Sequence, residues 1–386
     1  MSINVLSLFD GCSGGRQALE RIGIKVNQYY ASEIDKYAIK VTQANYPNTI
    51  QLGSVVNVDV SKLPKIDLLL GGSPCQSFSF AGKRKGMSTK CETEILTLNQ
   101  YLQLKKEGFE FEGQSFLFWE YMRILTEIRQ INPNVKFLLE NVEMGEKWEK
   151  VLSKAIGVNG VHINSALVSA QNRKRIYWCN FGVPTVDLFG ETIYSIPQPG
   201  DKGILLKDIL ESEVDEKYYL SDKVNKRFKL YNTHSNIIGT TAPDFRTIGQ
   251  RDEVYADFGK MGCLNATDYK QPKQIIVQNI STIFNNKRLN ETLLNNDLVE
   301  NCLIDSYNKS IHLDKSITVS TRVNASSCTH VFKNQRIRRL TPIECERLQT
   351  VKDNYTNHVS DSQRYKMLGN GWTIDVICHI LQFLNN

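Results

Sequence analysis

The chain lacks several features that would place it in common protein classes. Its nine cysteines include no Cys-x-x-Cys pair, and its six histidines make no His-x-x-x-His pair. Because zinc sites and disulfide frameworks need such clustered ligands, we expect neither, and we expect a reducing, cytoplasmic environment. No apolar run reaches the roughly 18 residues that a membrane helix needs. The first five residues lack the basic region of a signal peptide, so we expect no membrane partner.

The chain also has little net charge. Its 47 basic residues exceed its 41 acidic residues by 6, which permits a polyanionic partner without demanding one. The basic residues nevertheless occur in clusters. Two of these clusters, 83–85 and 173–175, lie close to other unusual motifs. The 386 residues are enough for one large core or two smaller ones.

Strands alternate with helices over the first 180 residues. Helical periodicity is clearest over Phe116–Ile131. Apolar runs predict strands near the following segments: Val5–Phe9, Gln28–Ser32, Ile50–Leu52, Ile66–Leu70, Val135–Leu139, Val161–Leu167 and Ile176–Phe181. This alternation is typical of an α/β sheet with helices on both faces.

The middle of the chain differs from its two ends. A Pro/Gly-rich linker at 196–200 opens a polar stretch without clean helical periodicity. Order returns with a capping box over Thr341–Glu344, with proline at the first helical position, and an apolar stripe from Val376 to Leu384. We therefore predict an α/β domain made of residues 1–183 and 336–386, interrupted by an irregular, strand- and loop-rich domain at 184–335.

Four motifs stand at or beside the predicted strand ends. They are a glycine-rich turn over 10–15, Pro74-Cys75, Glu140-Asn141-Val142, and Gln171-x-Arg173-x-Arg175. Ligands bind at the carboxyl ends of strands in open α/β sheets, and glycines let the backbone approach a ligand at a helix N-terminus. Each motif taken singly has an ordinary alternative: a tight turn, a buried cysteine, a strand-ending carboxylate or a solvated basic face.

In this order, and with Leu368-Gly369-Asn370-Gly371 near the end, the motifs resemble the DNA (cytosine-5)-methyltransferases. The resemblance covers 1–183 and 336–386, and it implies a Rossmann-like S-adenosylmethionine-dependent methyltransferase sheet with an inserted target-recognition domain. Ser169-Ala170 and Gly371-Trp372 are similar to the de novo eukaryotic branch, whereas the Asn/Lys/Ile-rich composition favours a bacterial or phage origin.

The resemblance implies S-adenosylmethionine as methyl donor, S-adenosylhomocysteine as product and no metal. Phe9 would stack on the adenine, Glu33 would hold the ribose, and Trp372 would close the site. The implied cofactor residues are Phe9, Asp10, Gly11, Ser13, Gly14, Glu33, Ile34, Ser54, Val55, Pro74, Asn370 and Trp372. Ser54 departs from the family pattern, which usually has an acidic residue there to bond the adenine amino group.

The resemblance assigns catalysis to Cys75, Glu140, Arg173 and Arg175. A Cys75 thiolate would add to C6 of cytosine and make C5 nucleophilic. Full ionisation of a cysteine would gain at most about 30-fold, far below what enzymes supply. A protonated Glu140 at N3, which burial favours, and Arg175 at O2 would therefore activate the ring. Arg173 would position the cysteine or a DNA phosphate.

Double-stranded DNA is the implied partner, and the target cytosine would flip out of it. The implied DNA contacts, in the loop after the cysteine, are Gln76, Ser77, Lys83, Arg84 and Lys85. Base edges would be read by 184–335. The segment 86–113 would add DNA contacts, fill the space left by the flipped base, or be a surface insertion without a role in binding. We expect a monomer that either has a separate restriction endonuclease as its functional counterpart or protects a phage genome. A catalytically silent DNA-binding relative and an RNA cytosine-5 methyltransferase are the alternatives.

Overall fold

The computed structural model describes residues 2–74, 93–111, 113–186, 192–221, 229–230, 237–242, 252–257, 259–276, 302–305, 310–313, 329–332 and 337–385. The predicted nucleophile and the predicted DNA contacts lie outside these residues. They are Cys75, Gln76, Ser77, Lys83, Arg84 and Lys85.

A seven-stranded sheet forms the centre of the α/β part. The first eight strands of the chain are β1 (Ile3–Leu8), β2 (Val26–Ser32), β3 (Ile50–Gln51), β4 (Leu68–Gly72), β5 (Lys136–Val142), β6 (Val161–Asn164), β7 (Gln171–Asn172) and β8 (Lys174–Cys179). The sheet order is β3-β2-β1-β4-β5-β8-β6, with β8 antiparallel to both of its neighbours. Strands β1, β4 and β5 therefore end at the edge where β8 begins, and the described residues of the four predicted motifs meet there.

Helices cover both faces of this sheet. They are α1 (Gly14–Arg21), α2 (Lys36–Asn45), α3 (Leu98–Lys106), α4 (Leu117–Ile131), α5 (Glu146–Ile156), α6 (Pro342–Leu348), α7 (Asp361–Asn370) and α8 (Ile374–Leu381). Successive strand residues point to opposite faces: Val5 and Leu70 pack with α1 and α8, whereas Leu6 and Leu69 pack with α4 and α5. The predicted α/β sheet is confirmed. None of these helices combines the length and apolar character needed to cross a membrane.

The predicted strand over Val161–Leu167 is too long. The strand ends at Asn164, whose side chain accepts a hydrogen bond from Ala166 N (3.0 Å) and opens a 3-10 turn over Ser165–Leu167. Asparagine side chains commonly cap such turns, so local capping ends the strand although the apolar pattern continues.

Helix α3 lies within the long segment 86–113, of which residues 93–111 and 113 are described. It is anchored to α4 through Glu120, which is fully buried. The Tyr101 hydroxyl and the Lys105 ammonium both donate to Glu120 Oε1 at 2.5 Å. The helix is thus fixed to the outer layer of the α/β part, and a role in DNA contact stays a prediction.

The middle of the chain adds short strands. They are β9 (Val183–Val186), β10 (Thr192–Ser195), β11 (Lys229–Leu230), β12 (Ile237–Thr240), β13 (Glu253–Ala256), β14 (Met261–Gly262), β15 (Gln274–Ile276), β16 (Cys302–Asp305), β17 (Ser310–Leu313), β18 (Thr329–Phe332) and β19 (Ile337–Arg339). Strand β19 pairs with β15, and β14 pairs with β7. Leu206 and Ile275 share an apolar core with Ile377 of α8. The domain boundaries at 183 and 335 stay predictions.

A buried ion pair marks the point where the chain returns to the α/β part. Arg338 donates through both terminal nitrogens to the two oxygens of Glu344 (2.8 and 2.7 Å), and the two side chains are only 2% and 0% exposed. The predicted capping box is present, since Glu344 also accepts from Thr341 N at 2.8 Å. Glu211 N adds a further bond to the same carboxylate. This carboxylate therefore joins β19, α6 and the middle of the chain.

Removing that carboxylate should destabilise the protein strongly. Glu344→Ala would leave the Arg338 guanidinium buried without its counter-charge, and we expect the free energy of unfolding to fall by about 3–5 kcal/mol. Urea unfolding followed by circular dichroism measures this. Glu146→Ala is the control, because Glu146 pairs with Lys150 on the surface and exposed pairs contribute little. Equal midpoints for Glu344→Ala and the wild type would contradict this account of the junction.

Candidate active site

A cavity of about 790 Å³ opens at the edge of the sheet where the motifs meet. This volume is within the range of sites that bind small molecules. The predicted site residues that line it are Phe9, Asp10, Gly11, Gly14, Glu33, Ile34, Ser54, Val55, Pro74, Glu140, Arg173, Arg175, Asn370 and Trp372. The structure therefore brings together predicted residues from both ends of the chain. Ser13 does not line the cavity and is fully buried.

The turn after β1 has a strained backbone. Phe9, Gly11 and Ser13 have φ angles of 56°, 57° and 60°, a left-handed conformation that only glycine adopts without cost. The turn directs Gly11 N to Glu33 Oε2, at 2.8 Å. Strain of this kind persists only where surrounding contacts enforce it, and here it lies at the cavity wall.

A buried carboxyl group supports this turn from below. The Ser13 hydroxyl donates to Asp10 Oδ2 (2.5 Å), and the Tyr29 hydroxyl donates to Asp10 Oδ1 (2.8 Å). Burial raises the pKa of Asp10 to about 6, even though the hydrogen bonds from Ser13 and Tyr29 lower it. Ser13 thus acts through Asp10, and the predicted direct contact of Ser13 with a cofactor stays a prediction.

Glu33, at the end of β2, is oriented by the backbone around it. Its Oε1 accepts from Ile34 N and Asp35 N, both at 2.8 Å, and its Oε2 accepts from Gly11 N. A carboxylate oxygen can accept two hydrogen bonds. The second acceptor position of Oε2 is therefore suited to a ligand hydroxyl.

The wall around Glu33 fits the S-adenosylmethionine that the resemblance implies. Ile34 is 71% exposed and gives the cavity an apolar surface suited to the face of a base. A Cβ on Gly14 would lie 3.3 Å from Ile374 Cδ1, so the bare glycine keeps this wall open. Ser54 precedes a 3-10 turn and lines the cavity as a neutral group. A carboxylate acceptor beside an apolar surface suits the ribose and the base of an adenosine.

Lys366 is a cavity residue that the sequence did not single out. Its ammonium, on α7, lies 2.8 Å from Asp35 Oδ2, and it lines the cavity. Partial burial would raise the pKa of Asp35, but the hydrogen bond and charge of Lys366 lower it overall. This ion pair joins the segment after Glu33 to the end of the chain. No signal in the sequence links a lysine at 366 to an aspartate at 35.

Glu140, at the end of β5, is held from two sides. Its Oε1 lies 3.0 Å from Arg175 Nε, and its Oε2 accepts from Trp372 Nε1 at 3.1 Å. Arg175 pairs across the sheet with Val142, two residues beyond Glu140, which places both side chains on one face. A Cβ on Gly72 would lie 2.9 Å from both Glu140 Oε2 and Trp372 Nε1. The contact therefore depends on a glycine at position 72.

Arg173 is 3% exposed and bonds to protein groups. Its guanidinium donates to the carbonyl oxygens of Leu264 (3.0 Å), Gly369 (3.3 Å) and Gly371 (2.8 Å), and to Cys263 Sγ (3.0 Å). It therefore ties the middle of the chain to the loop that carries Trp372. The predicted contact of Arg173 with the nucleophile or with a phosphate stays a prediction.

Asn141 positions the segment that leads to Cys75. Its Nδ2 donates to Ser73 Oγ (3.0 Å), and its Oδ1 accepts from Val142 N (2.8 Å). Both Asn141 and Ser73 are buried. Asn141 belongs to the Glu140 motif, but the motif alone predicts no role for it. Among the described residues, no group of three or more His, Cys, Asp or Glu side chains is placed to hold a metal ion.

The raised pKa of Asp10 predicts a pH dependence. The unfolded chain ionises this group near 3.8 and the folded chain near 6, so its stabilising contribution is complete below pH 4 and is lost as pH rises through 6. The separation corresponds to about 3 kcal/mol. Unfolding measured at several pH values should show wild-type stability falling relative to Asp10→Asn over this window.

Asp59→Asn is the control for that comparison. Hydrogen bonds from Ser61 and Lys62 lower the pKa of Asp59, so its contribution to stability is lost as pH falls, which is the opposite sign. If the difference in the free energy of unfolding between the wild type and Asp10→Asn did not change with pH, the buried state of Asp10 would be contradicted.

Comparison with known proteins gives matches over almost the whole chain. The family model described as C-5 cytosine-specific DNA methylase matches residues 3–386. The orphan methyltransferase M.SPRI of Bacillus phage SPR is 29% identical over 99% of this chain and 97% of its own length. The type II methyltransferase M1.ScrFI of Lactococcus lactis subsp. cremoris is 28% identical over 97% of this chain and 75% of its own length.

Solved structures share the fold. The Entamoeba histolytica methyltransferase EhMeth has a TM-score of 0.58 at 14% identity, covering 100% of this chain and 98% of its own. A DNMT2 mutant from Spodoptera frugiperda has a TM-score of 0.56 at 19% identity, with both chains fully covered. The match over almost all of its length identifies this chain as a member of the C-5 cytosine-specific DNA methylase family, a DNA cytosine-5-methyltransferase.

Proposed function

We propose that the protein transfers a methyl group from S-adenosylmethionine to C5 of a cytosine flipped out of double-stranded DNA, at a specific sequence, through a covalent bond between Cys75 and C6. The Glu140 carboxylate carries this proposal, because it is held between Arg175 Nε and Trp372 Nε1 at the cavity. The carboxyl group would face N3 and the guanidinium O2, which lie on one edge of a pyrimidine. Pro74, which precedes Cys75 in the sequence, lines the same cavity.

The proposed chemistry begins with the cysteine. The Cys75 thiolate adds to C6, and the electron pair of the C5–C6 double bond moves through the ring to N3, which takes a proton from Glu140. Arg175 donates to O2 and stabilises the charge that develops there. C5 then takes the methyl group, which leaves S-adenosylhomocysteine, and gives its proton to a water molecule. The C5–C6 double bond re-forms as the thiolate leaves, and Glu140 recovers its proton from N3.

The residues around Glu33 have a separate role, which is to hold the cofactor. When bound, S-adenosylmethionine supplies an electrophilic methyl group on a sulfonium sulfur. Glu33 would accept from the ribose hydroxyls through Oε2, and Phe9 would stack on the adenine. Asp10, through the turn that it supports, would hold Gly11 against the ligand. These residues fix the methyl group relative to C5, and such positioning supplies a large part of the rate enhancement.

The finer details of the partners also belong to this proposal. Residues 184–335 would serve as the target-recognition domain, with 76–85 contacting the DNA around the flipped base. The relatives include proteins named orphan methyltransferases and others named type II methyltransferases. We infer a monomer that acts on DNA, with a separate restriction endonuclease as counterpart in a type II setting.

Bisulfite sequencing of DNA from cells that express the protein tests the function. We expect 5-methylcytosine at one recurring sequence, and none in cells that express Cys75→Ser. A catalytically silent relative would leave the DNA unmodified with the wild-type chain. An RNA enzyme would modify RNA instead, which bisulfite sequencing of RNA from the same cells detects. Either result overturns the proposal.

The proton-donor role of Glu140 predicts a large kinetic effect. Glu140→Gln cannot transfer a proton to N3 and carries no charge for Arg175, so we expect single-turnover methylation to slow by about 10²–10⁴-fold. Glu143→Gln is the matched control, since Glu143 lies just beyond the strand end and pairs loosely with His162 (3.9 Å). Turnover of Glu140→Gln near that of the wild type across the accessible pH range would exclude the role.

The close approach at Gly72 predicts a second effect. Gly72→Ala would place a Cβ 2.9 Å from both Glu140 Oε2 and Trp372 Nε1 and would push them apart. Misplacing a catalytic group by about 1 Å can cost about 100-fold in rate, so we expect methylation to slow by up to about 100-fold. Gly145→Ala, where a Cβ meets nothing within 4 Å, should retain activity. Full activity of Gly72→Ala would show that the Glu140–Trp372 contact is dispensable.

A further inference from the structure

Cys263 lies against the arginine pair of the active site although it belongs to the middle of the chain. Its sulfur is 3.0 Å from Arg173 Nη1 and 3.8 Å from Arg175 Nη2. The thiol itself donates to Leu264 O at 3.1 Å. The Glu140–Arg175 contact described above therefore has a third participant, which the segment 184–335 supplies.

Backbone pairing holds this cysteine in place. Strand β14 pairs with β7, and Met261 N donates to Ala170 O at 3.0 Å. On the other side of the cysteine, Leu264 N donates to Gln171 Oε1 at 3.3 Å. Contacts before and after position 263 thus fix its backbone along the Gln/Arg motif. The backbone at position 263 cannot move away from the arginines without breaking this pairing.

The positive charges of Arg173 and Arg175 also favour their contact with the sulfur. Burial alone would raise the pKa of the Cys263 thiol, but the charges and hydrogen bonds of Arg173 and Arg175 lower it overall. A cysteine sulfur can accept a hydrogen bond from a guanidinium while its own S–H donates, here to Leu264 O. Arg175 has Nε directed to Glu140, Nη1 donating to Lys174 O at 2.7 Å and Nη2 directed to Cys263. A planar guanidinium with acceptors at all three of its nitrogens has its orientation defined, and Cys263 supplies the third of them.

We propose that Cys263 is a positioning residue for methyl transfer, whose sulfur holds the Arg175 guanidinium in the plane in which it meets Glu140 and the pyrimidine O2. This inference rests on the proposed function of Arg175. Because Cys263 directly follows β14, a shift of the segment 259–264 against the sheet would also be transmitted to Arg175. Cys263 is thereby a direct contact between the proposed target-recognition domain and the catalytic groups.

A double-mutant cycle tests this role with the full-length protein and a DNA that the wild type methylates. We expect Cys263→Ala to slow single-turnover methylation by about tenfold, the effect of losing one hydrogen bond to a charged group, with KM for DNA and for S-adenosylmethionine within about twofold. Cys263→Ser keeps an acceptor and should recover part of the rate. In an Arg175→Lys background, Cys263→Ala should have no further effect, because the sulfur acts through Arg175.

Controls separate this proposal from the function on which it rests. Cys378→Ala removes another partly buried thiol, one bonded to Ala18 O on α1, and should leave the rate unchanged. A wild-type chain that methylates no DNA refutes the proposed function itself. A wild-type chain that methylates, together with a Cys263→Ala rate equal to that of the wild type, refutes only the positioning role. If Cys263→Ala slowed methylation equally in the wild-type chain and in Arg175→Lys, the positioning role would also be refuted.

Discussion

The Glu140 carboxylate, held between Arg175 and Trp372 above Gly72, is the contact on which the arrangement of the site depends. Its three partners come from three strands or loops that are far apart in the sequence. They meet because β4 and β5 are parallel neighbours and β8 returns antiparallel beside them. A glycine at position 72 leaves the space in which the carboxylate and the indole approach each other.

The C-terminal part of the chain forms one side of the cavity at the edge of the sheet. Arg173 bonds to the carbonyls of Gly369 and Gly371, and Gln349 bonds to Leu368 O, so the loop before α8 is fixed from both sides. Earlier in α7, the Lys366 ammonium donates a hydrogen bond to Asp35. These contacts close one cavity from residues at both ends of the chain, which explains why its walls include the turn after β1 as well as Trp372.

The sheet, the helices and most cavity residues could be predicted because they depend on local signals: apolar periodicity, a capping box, and glycine or charged motifs at strand ends. The extent of β6 was predicted wrongly, since a single asparagine cap ended it. Cys263 and Lys366 could not be predicted, because their roles arise from pairings between segments about 90 and 330 residues apart. Burial of Arg173 likewise depends on tertiary contacts that its motif does not encode.

The central claim is that Cys75 attacks a cytosine activated at this edge of the sheet. Incubation with S-adenosylmethionine and double-stranded DNA containing 5-fluorocytosine at the target position tests it most directly, because fluorine at C5 blocks the final elimination and traps the adduct. We predict a covalent complex with the wild-type chain, mapped to Cys75 by peptide mass spectrometry, and none with Cys75→Ser. No adduct with a DNA that the wild type methylates, or an adduct at another residue, would contradict the account.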